Sequence, residues 1–238
     1  MATVILVRHG RTAANATGVL AGWTPGISLD DKGREQAAAV AARLTVVPLT
    51  AVVTSPLERT RETADALLAG RDPLPALHID ERVGECRYGD WTNQPLKNLA
   101  TEPLWKVVQA HPSAAVFPGP EGESMAEMSA RAVGAVRDWN ARLSVDGVDP
   151  IYAVVSHGDV IKAITADALG MHLDSFQRLQ VDPCSVTVIR YTDLRPFVLR
   201  TNDTGGDLSG LVPAPKAKRR RGKPVSDADA VVGGGAGA

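Results

Sequence analysis

The chain has 238 residues, of which 44% are apolar and 22% are charged, and its formal net charge is −1. This composition predicts a globular domain with a substantial core, and it excludes a net charge that would recruit nucleic acid or an anionic membrane. The first ten residues, MATVILVRHG, do not predict a signal peptide because Arg8 ends the apolar run. No apolar run approaches the roughly 20 residues of a membrane helix. Cys86 and Cys184 show neither metal-ligand spacing nor a disulfide framework, which favours the cytoplasm.

Short β-branched runs and amphipathic segments alternate along the first part of the chain. Residues 3–7 (TVILV) predict a buried strand, and residues 10–29 a loop. Asp30 predicts the N-cap of the helix that follows. Residues 51–54 predict a second strand, after which Ser55-Pro56 predicts an N-cap and the first helical position of the next helix.

The second part of the chain continues the alternation after a proline-rich region. Prolines interrupt residues 71–122, where only a short helix over residues 96–110 is predicted. The remaining predicted elements are a helix over 124–143, a strand over 151–155, a helix over 160–169, and strands over 186–191 and 196–200. Strands that alternate with helices predict an α/β fold, a three-layer α/β/α sandwich with a mainly parallel central sheet.

A change of composition near residue 205 divides the chain into two parts. Residues 1–204 predict the folded domain. Residues 205–238 are first basic and then rich in glycine and alanine, which predicts a disordered tail. The basic segment KAKRRRGK (residues 216–223) could contact nucleic acid or a partner, but a solvated chain end without a specific role is the more common outcome. We therefore expect no nucleic-acid partner.

Chemically competent side chains follow three of the predicted elements at equivalent places. Arg8-His9-Gly10 comes directly after the first strand, Arg59 lies in the first turn of the helix after the second strand, and Ser156-His157-Gly158 follows the strand over residues 151–155. In open α/β sheets, ligands bind outside the carboxyl ends of the strands. If these strands are neighbours, two histidines and two arginines converge on one pocket.

A pocket of this kind suits a phosphoryl group. Arginine binds phosphate oxygens in bidentate fashion, and a neutral imidazole is a competent nucleophile. Nearby arginines disfavour the imidazolium form and so keep His9 neutral. A single histidine after a strand is more often structural, and only the convergence of these residues favours catalysis. A dinucleotide-binding module is disfavoured because no GxGxxG sequence follows the first strand.

Four segments together resemble one known family. They are VRHGRTAAN (7–15), SLDDKGREQA (28–37), TSPLERTRETA (54–64) and VSHGDVIKAI (155–164). In this order and at this spacing they resemble the histidine phosphatase superfamily, which has the phosphoglycerate mutase-like fold. The resemblance covers about residues 3–200. Members of this superfamily are often dimers, so the resemblance is compatible with a homodimer.

The resemblance implies a role for each matching residue. Arg8, Asn15 and Arg59 would bind the substrate phosphate, and His9 would be phosphorylated during turnover. His157 would donate to the equatorial oxygens of the transferring group. The segment VGECRYGDW (83–91) resembles the acid-containing loop, so Glu85 would be the proton donor. From the residues alone, Glu85 is not distinguished from the neighbouring carboxylates, any of which could be an ordinary surface group; they are Asp80, Glu81 and Asp90.

Two departures from the family pattern favour a phosphatase over a phosphomutase. VLAGWTPG (19–26) carries no arginine before Gly22, and the stretch between Glu85 and His157 is shorter than in mutases. We expect a cytoplasmic, metal-independent phosphatase of a small-molecule phosphate monoester, with no cofactor and no membrane partner. A phosphoglycerate mutase-like phosphomutase is the alternative, since Arg87-Tyr88-Gly89 resembles the mutase loop. A catalytically inactive protein that binds a phosphorylated ligand is a third possibility.

Overall fold

The computed structural model describes residues 1–145, 149–206 and 233. The strands are β1 (Ala2–Arg8), β2 (Val19–Leu20), β3 (Ala51–Thr54), β4 (Ala76–Ile79), β5 (Gln94–Pro95), β6 (Ile151–Ser156), β7 (Val186–Tyr191) and β8 (Pro196–Asp203). The α-helices are α1 (Ala13–Thr17), α2 (Asp31–Leu44), α3 (Glu58–Leu68), α4 (Leu96–Leu99), α5 (Pro103–Ala110), α6 (Met125–Leu143) and α7 (Gly158–Ala168). Short 3₁₀ helices cover Glu81–Val83, Gly89–Trp91, Pro112–Ala114 and Leu173–Arg178.

Six strands form the central sheet in the order β4-β3-β6-β1-β7-β8. The first four run parallel to one another, and β7 is antiparallel to both of its neighbours. Arg8 is in register with Ser156, and Thr54 with Val155, so β1, β6 and β3 end at the same level. The mainly parallel α/β sheet predicted from the sequence is confirmed. β2 and β5 form a separate antiparallel pair.

Alternating side chains of the buried strands supply a core on each face of the sheet. On one face, Ile5 and Val7 pack in a cluster with residues of α2 and α3. On the other face, Val4 and Leu6 pack with residues of α6 and α7. These two cores make the three layers of the α/β/α sandwich, again as predicted.

Helix ends agree with the sequence expectations at two places and differ at a third. The Asp30 side chain accepts from the Gly33 amide at the start of α2, and Ser124 forms a capping box with Glu127 at the start of α6. Ser55 was expected to be an N-cap as well, but α3 begins after Leu57, which has no capping side chain. The Ser55 hydroxyl is used elsewhere, as described below.

Three further elements differ from the sequence prediction. The predicted loop over residues 10–29 contains α1 and β2, and the helix expected over residues 96–110 is divided into α4 and α5. The helix is interrupted because Pro103 lies at the start of α5, and proline lacks the amide hydrogen that a continuous helix would need. β4 was not predicted, because it is a four-residue edge strand in a proline-rich region, and its apolar residues are exposed.

None of the described helices combines the length and the apolarity that a bilayer crossing requires. The predicted tail, residues 205–238, lies outside the described residues except for Gly205, Gly206 and Gly233.

Candidate active site

The ends of β1, β6 and β3 meet at the carboxyl edge of the sheet. The His9 amide donates to the Ser156 carbonyl at 3.0 Å, and the Ser55 amide donates to the Val155 carbonyl at 3.1 Å. These backbone bonds continue the parallel register by one residue beyond each strand. They place the side chains of His9, Ser55 and His157 next to one another, as expected for neighbouring strands.

His9 is held with one ring nitrogen free for chemistry. Its Nδ1 lies 2.7 Å from the carbonyl oxygen of Gly10, which can only accept, so Nδ1 carries the proton and Nε2 keeps its lone pair. The side chain lines the pocket, and the ring centroid lies 5.2 Å from that of His157. Burial lowers the pKa of His9 well below its usual value, and the charges of Arg59 and Arg8 lower the pKa further. His9 is therefore a neutral imidazole near neutral pH.

His157 is completely buried beside His9. Its Nε2 lies 2.9 Å from the Ser55 hydroxyl oxygen. Its Nδ1 faces the pocket side, 3.4 Å from Arg59 Nη2 and 3.8 Å from Glu85 Oε2. Burial is again the main reason that the pKa of His157 lies well below its usual value, followed by the charge of Arg59. His157 is thus also neutral, with Nδ1 directed at the reacting groups.

Two buried guanidinium groups supply the positive charge. Arg8 has no exposed surface and donates through Nη1 to the Val181 carbonyl at 2.8 Å. Arg59, in the first turn of α3 as predicted, donates through Nη2 to the Gly22 carbonyl at 2.8 Å. Arg59 Nη1 is buried and has no hydrogen-bond partner among the described residues. A buried N–H without a partner is costly, so an anion in the pocket would satisfy it.

Glu85 is the carboxylate that reaches this cluster. It is buried, lines the pocket, and accepts the Cys86 amide at Oε1 with a distance of 2.9 Å. Burial and then the neighbouring charge of Asp159 raise the pKa of Glu85 to about 7, against the opposing effect of the two arginines. A carboxyl group with this pKa can donate or accept a proton near neutral pH.

The other three candidate carboxylates lie elsewhere. Asp80 forms an ion pair with Arg82 and accepts the Trp139 indole N–H. Glu81 and Asp90 are exposed. The structure therefore favours Glu85 among the four carboxylates that the sequence offered.

Asn15 lies at the rim of the pocket rather than in its buried centre. Its Oδ1 accepts from the Thr12 amide at 3.1 Å and from the Thr12 hydroxyl at 2.9 Å, which caps α1. Its side chain also lines the pocket. The structure thus brings all six predicted residues to one site, with Arg8 and His157 behind the pocket wall and Asn15 at its edge.

The pocket opens to solvent. Part of its lining, which we call the apolar wall, consists of Val19, Leu20, Ala21 and Leu96, and the polar residues Thr12 and Asn15 line the pocket as well. Apart from Arg59, no lysine or arginine of the described chain lines the pocket. A phosphate in the pocket would therefore meet the cationic side chain of Arg59, and the group attached to the phosphate would face the apolar wall together with Thr12 and Asn15.

Gly233 is the one described residue beyond 206, and it also lines this pocket. Its amide donates to Asp159 Oδ2 at 2.9 Å, and Arg8 Nη2 lies 3.5 Å from its carbonyl oxygen. A Cβ atom at this position would lie 2.9 Å from Leu20, and φ is +74°. Glycine therefore fits this position better than other residues.

Two polar residues of the site were not singled out in the sequence. Asp159, buried in the first turn of α7, accepts from the Tyr88 hydroxyl at 2.9 Å and raises the pKa of Glu85. Ser55 contacts His157, as described above. A signal existed for Asp159, since a carboxylate directly after Gly158 precedes the apolar residues Val160 and Ile161. No local signal distinguishes Ser55 from an ordinary capping serine.

Comparison with known families adds to this geometry. The family described as histidine phosphatase superfamily (branch 1) matches residues 4–204. Among curated proteins, a probable phosphoglycerate mutase GpmB from Cronobacter sakazakii is 32% identical over 219 residues, which is 89% of this chain and 95% of that protein.

Solved structures give a similar result. A phosphoserine phosphatase from Entamoeba histolytica, in complex with 3-phosphoglyceric acid, has a TM-score of 0.75 and 25% identity, covering 85% of this chain and 98% of that chain. A mycobacterial glucosyl-3-phosphoglycerate phosphatase, in complex with VO3, has a TM-score of 0.74 and 25% identity, covering 85% of this chain and all of that chain (100%).

Proposed function

This chain belongs to the histidine phosphatase superfamily, branch 1, and on that premise we propose that it is a metal-independent phosphatase acting on a small-molecule phosphate monoester through a phosphohistidine. Superfamily membership makes it an enzyme of the phosphatase or phosphomutase kind. The observation that carries the proposal is the free Nε2 of a neutral His9, set between two buried arginines and a carboxyl group with a pKa of about 7.

In the first step, the phosphate dianion binds to Arg8 and Arg59, and Asn15 completes its binding at the rim. His9 Nε2 attacks phosphorus, so that a P–N bond forms while the ester P–O bond breaks. Glu85 gives its proton to the departing alkoxide and becomes a carboxylate. The arginines, together with the Nδ1–H group of His157, stabilise the charge on the equatorial oxygens, a task that metal ions perform in other phosphotransfer enzymes.

In the second step, water cleaves the phosphohistidine. The Glu85 carboxylate accepts a proton from the water, whose oxygen forms the new bond to phosphorus while the P–N bond breaks. His9 returns to the neutral form and Glu85 to the protonated form, so the cycle closes. One carboxyl group serves as acid and then as base because its pKa lies near neutral pH.

The apolar wall favours hydrolysis of the phosphohistidine over transfer of the phosphate back to the substrate. A phosphomutase must retain its phosphorylated substrate through an additional anionic group, which here would face Val19, Leu20, Ala21 and Leu96. Placing a carboxylate against such a surface without a cation is unfavourable. This wall fits an alcohol without a charge of its own near the phosphate.

A phosphoglycerate mutase-like phosphomutase is the second candidate, and the name of the curated relative from Cronobacter favours it. Arg87 is the residue to consider as a cationic partner for a second anionic group of the substrate. It stacks on Trp23 at 4.0 Å and is partly exposed, but it does not line the pocket. An inactive phosphate-binding protein is less favoured, since both His9 and Glu85 are in place. A cytoplasmic location is part of the proposal, because both cysteines are buried and neither forms a disulfide.

The proposal is tested by hydrolysis of p-nitrophenyl phosphate in EDTA with the wild type, His9→Ala and, as a control, His111→Ala on the exposed surface. We expect turnover by the wild type and the control, and none by His9→Ala. Acid-labile phosphate should label the wild type and His111→Ala but not His9→Ala. Isomerisation of phosphoglycerate without aryl phosphate hydrolysis would favour the phosphomutase. Phosphate binding without either activity would favour the inactive protein.

A further inference from the structure

Side chains from other parts of the chain bind the backbone carbonyl groups around Glu85. We call residues 82–87 the acid loop. In α6, Arg131 donates through Nη1 to the carbonyl of Arg82 at 2.8 Å and to that of Gly84 at 2.9 Å. Its Nη2 donates to the carbonyl of Glu85 at 2.8 Å. One guanidinium group thus binds three carbonyl oxygens of the acid loop, including that of Glu85 itself.

The other edge of the same guanidinium group binds Glu123. Arg131 Nε lies 3.0 Å from Glu123 Oε2, and Nη2 lies 2.5 Å from Oε1. Glu123 Oε1 also accepts from the Arg87 amide at 2.8 Å, and the Glu123 amide donates to the Arg87 carbonyl at 2.9 Å. The Arg131–Glu123 pair therefore holds both the N-terminal and the C-terminal part of the acid loop.

The acid loop depends on these contacts because it has no strand partner. After the 3₁₀ helix Glu81–Val83, residues 84–87 have no regular secondary structure. A buried carbonyl without a partner costs about 1–3 kcal/mol. Two other side chains assist: the Ser156 hydroxyl donates to the Val83 carbonyl at 2.7 Å, and the Trp23 indole N–H donates to the Glu85 carbonyl at 2.6 Å.

From this arrangement we infer that Arg131 is a positioning residue, which holds the acid loop so that the Glu85 carboxyl group faces the leaving oxygen. The inference rests on the proposed function, since it concerns the proton-transfer step of that reaction. Arg131 does not line the pocket and its charge is paired with Glu123, so it acts through the backbone of the acid loop. Only a planar guanidinium can serve three carbonyls and a carboxylate at once.

The matched test uses Arg131→Lys, which keeps the charge and removes the planar group. The control is Arg137→Lys, in the same helix, where the arginine forms an exposed ion pair with Asp167. The substrates are dinitrophenyl phosphate, whose leaving group needs no proton, and phenyl phosphate, whose leaving group does. A mispositioned general acid should lower kcat/KM for phenyl phosphate by about 10–100-fold and leave kcat/KM for dinitrophenyl phosphate nearly unchanged, because kcat/KM reports the phosphorylation of His9, in which Glu85 acts as the acid, and general acid catalysis is worth about 10²–10⁴-fold when intact.

An equal loss of kcat/KM for both esters, or no loss for either ester, would overturn the positioning role of Arg131. If Arg131→Lys does not fold, Glu123→Gln replaces it, since the amide keeps the shape and loses the bidentate ion pair; it should show the same leaving-group selectivity in weaker form. If the wild type hydrolyses no ester, the proposed function fails on its own. Hydrogen exchange of the amides of residues 85–87 then decides the inference: it should accelerate in Arg131→Lys and stay unchanged in Arg137→Lys.

Discussion

The hydroxyl oxygen of Ser55 and the Nε2 atom of His157 lie 2.9 Å apart, and both side chains are completely buried. Ser55 Oγ also accepts the Leu57 amide, so its own proton is available for Nε2. The proposed contact with a phosphoryl oxygen requires the tautomer of neutral His157 in which Nδ1 carries the proton, and that tautomer requires the Ser55 hydroxyl to donate to Nε2. This contact therefore decides what the second histidine can offer to a phosphoryl oxygen.

We expect Ser55→Ala to lower kcat by about tenfold, the equivalent of one hydrogen bond of about 1.4 kcal/mol, with a smaller effect on KM. The control is Ser185→Ala, which removes an equally buried hydroxyl that has no hydrogen-bond partner among the described residues. Steady-state kinetics on one aryl phosphate compares the two variants. Equal effects of both substitutions would mean that the Ser55 hydroxyl matters only for packing.

The pH dependence should follow from the two shifted pKa values. His9 stays neutral down to well below pH 6.5 because burial and the arginines lower its pKa, so the nucleophile limits activity only in acid. Glu85, with its pKa raised to about 7, loses its proton above that pH. We expect kcat/KM for phenyl phosphate, divided by that for dinitrophenyl phosphate, to be constant below pH 6 and to fall about tenfold per pH unit above 7. Glu85→Gln should abolish this fall; an unchanged alkaline limb in that variant would assign it to another group.

The apolar wall predicts a gain of binding by a single substitution. Ala21 lines the pocket next to Gly22, and an arginine there would give a second anionic group of the substrate a cationic partner. Ala21→Arg should lower KM for 3-phosphoglycerate by about tenfold while it leaves KM for phenyl phosphate nearly unchanged. Ala21→Met adds comparable bulk without charge and serves as the control. If both variants improve 3-phosphoglycerate binding equally, charge is not the missing feature.

Close backbone contacts at Gly33 predict a large effect on stability. A Cβ atom there would lie 2.0 Å from the Arg11 carbonyl oxygen, so Gly33→Ala requires the backbone beside the active-site loop to move. Gly134, inside α6, has nothing within 4 Å of its Cβ position. Gly134→Ala should therefore raise the free energy of unfolding by about 0.5–1 kcal/mol, whereas Gly33→Ala should lower it by more than about 2 kcal/mol. Urea denaturation measures the free energy of unfolding of both variants. An unchanged value in Gly33→Ala would show that the backbone contact relaxes easily.

The sequence alone predicted the site residues that directly follow neighbouring strands. Arg8, His9 and His157 follow buried strands directly, so their convergence needed only the parallel order of the sheet. Glu85 could be selected from its neighbouring carboxylates by resemblance alone, since burial, which raises its pKa, is a tertiary property.

The features that the sequence did not reveal depend on contacts between distant segments. Arg131 lies 46 residues from the Glu85 carbonyl that it binds, and the Ser55 hydroxyl lies 102 residues from His157. β4 was also missed, because it is a short edge strand whose apolar residues Leu77 and Ile79 are exposed, so that burial does not mark it. The N-cap at Asp30 and the helix start near Ser124, in contrast, were predicted, because only a few neighbouring residues decide them.

The reversal of β7 has a practical consequence for handling the protein. Because β7 runs against both neighbours, β8 runs parallel to β1 and ends beside Val186, at the pocket edge. Met1 lies at the opposite edge, paired with Asp149. An affinity tag or a bead attached at residue 1 is therefore remote from the pocket. Gly233, by contrast, contacts Asp159 at the pocket, so a bulky group attached at Gly233 itself would lie in the path of the substrate.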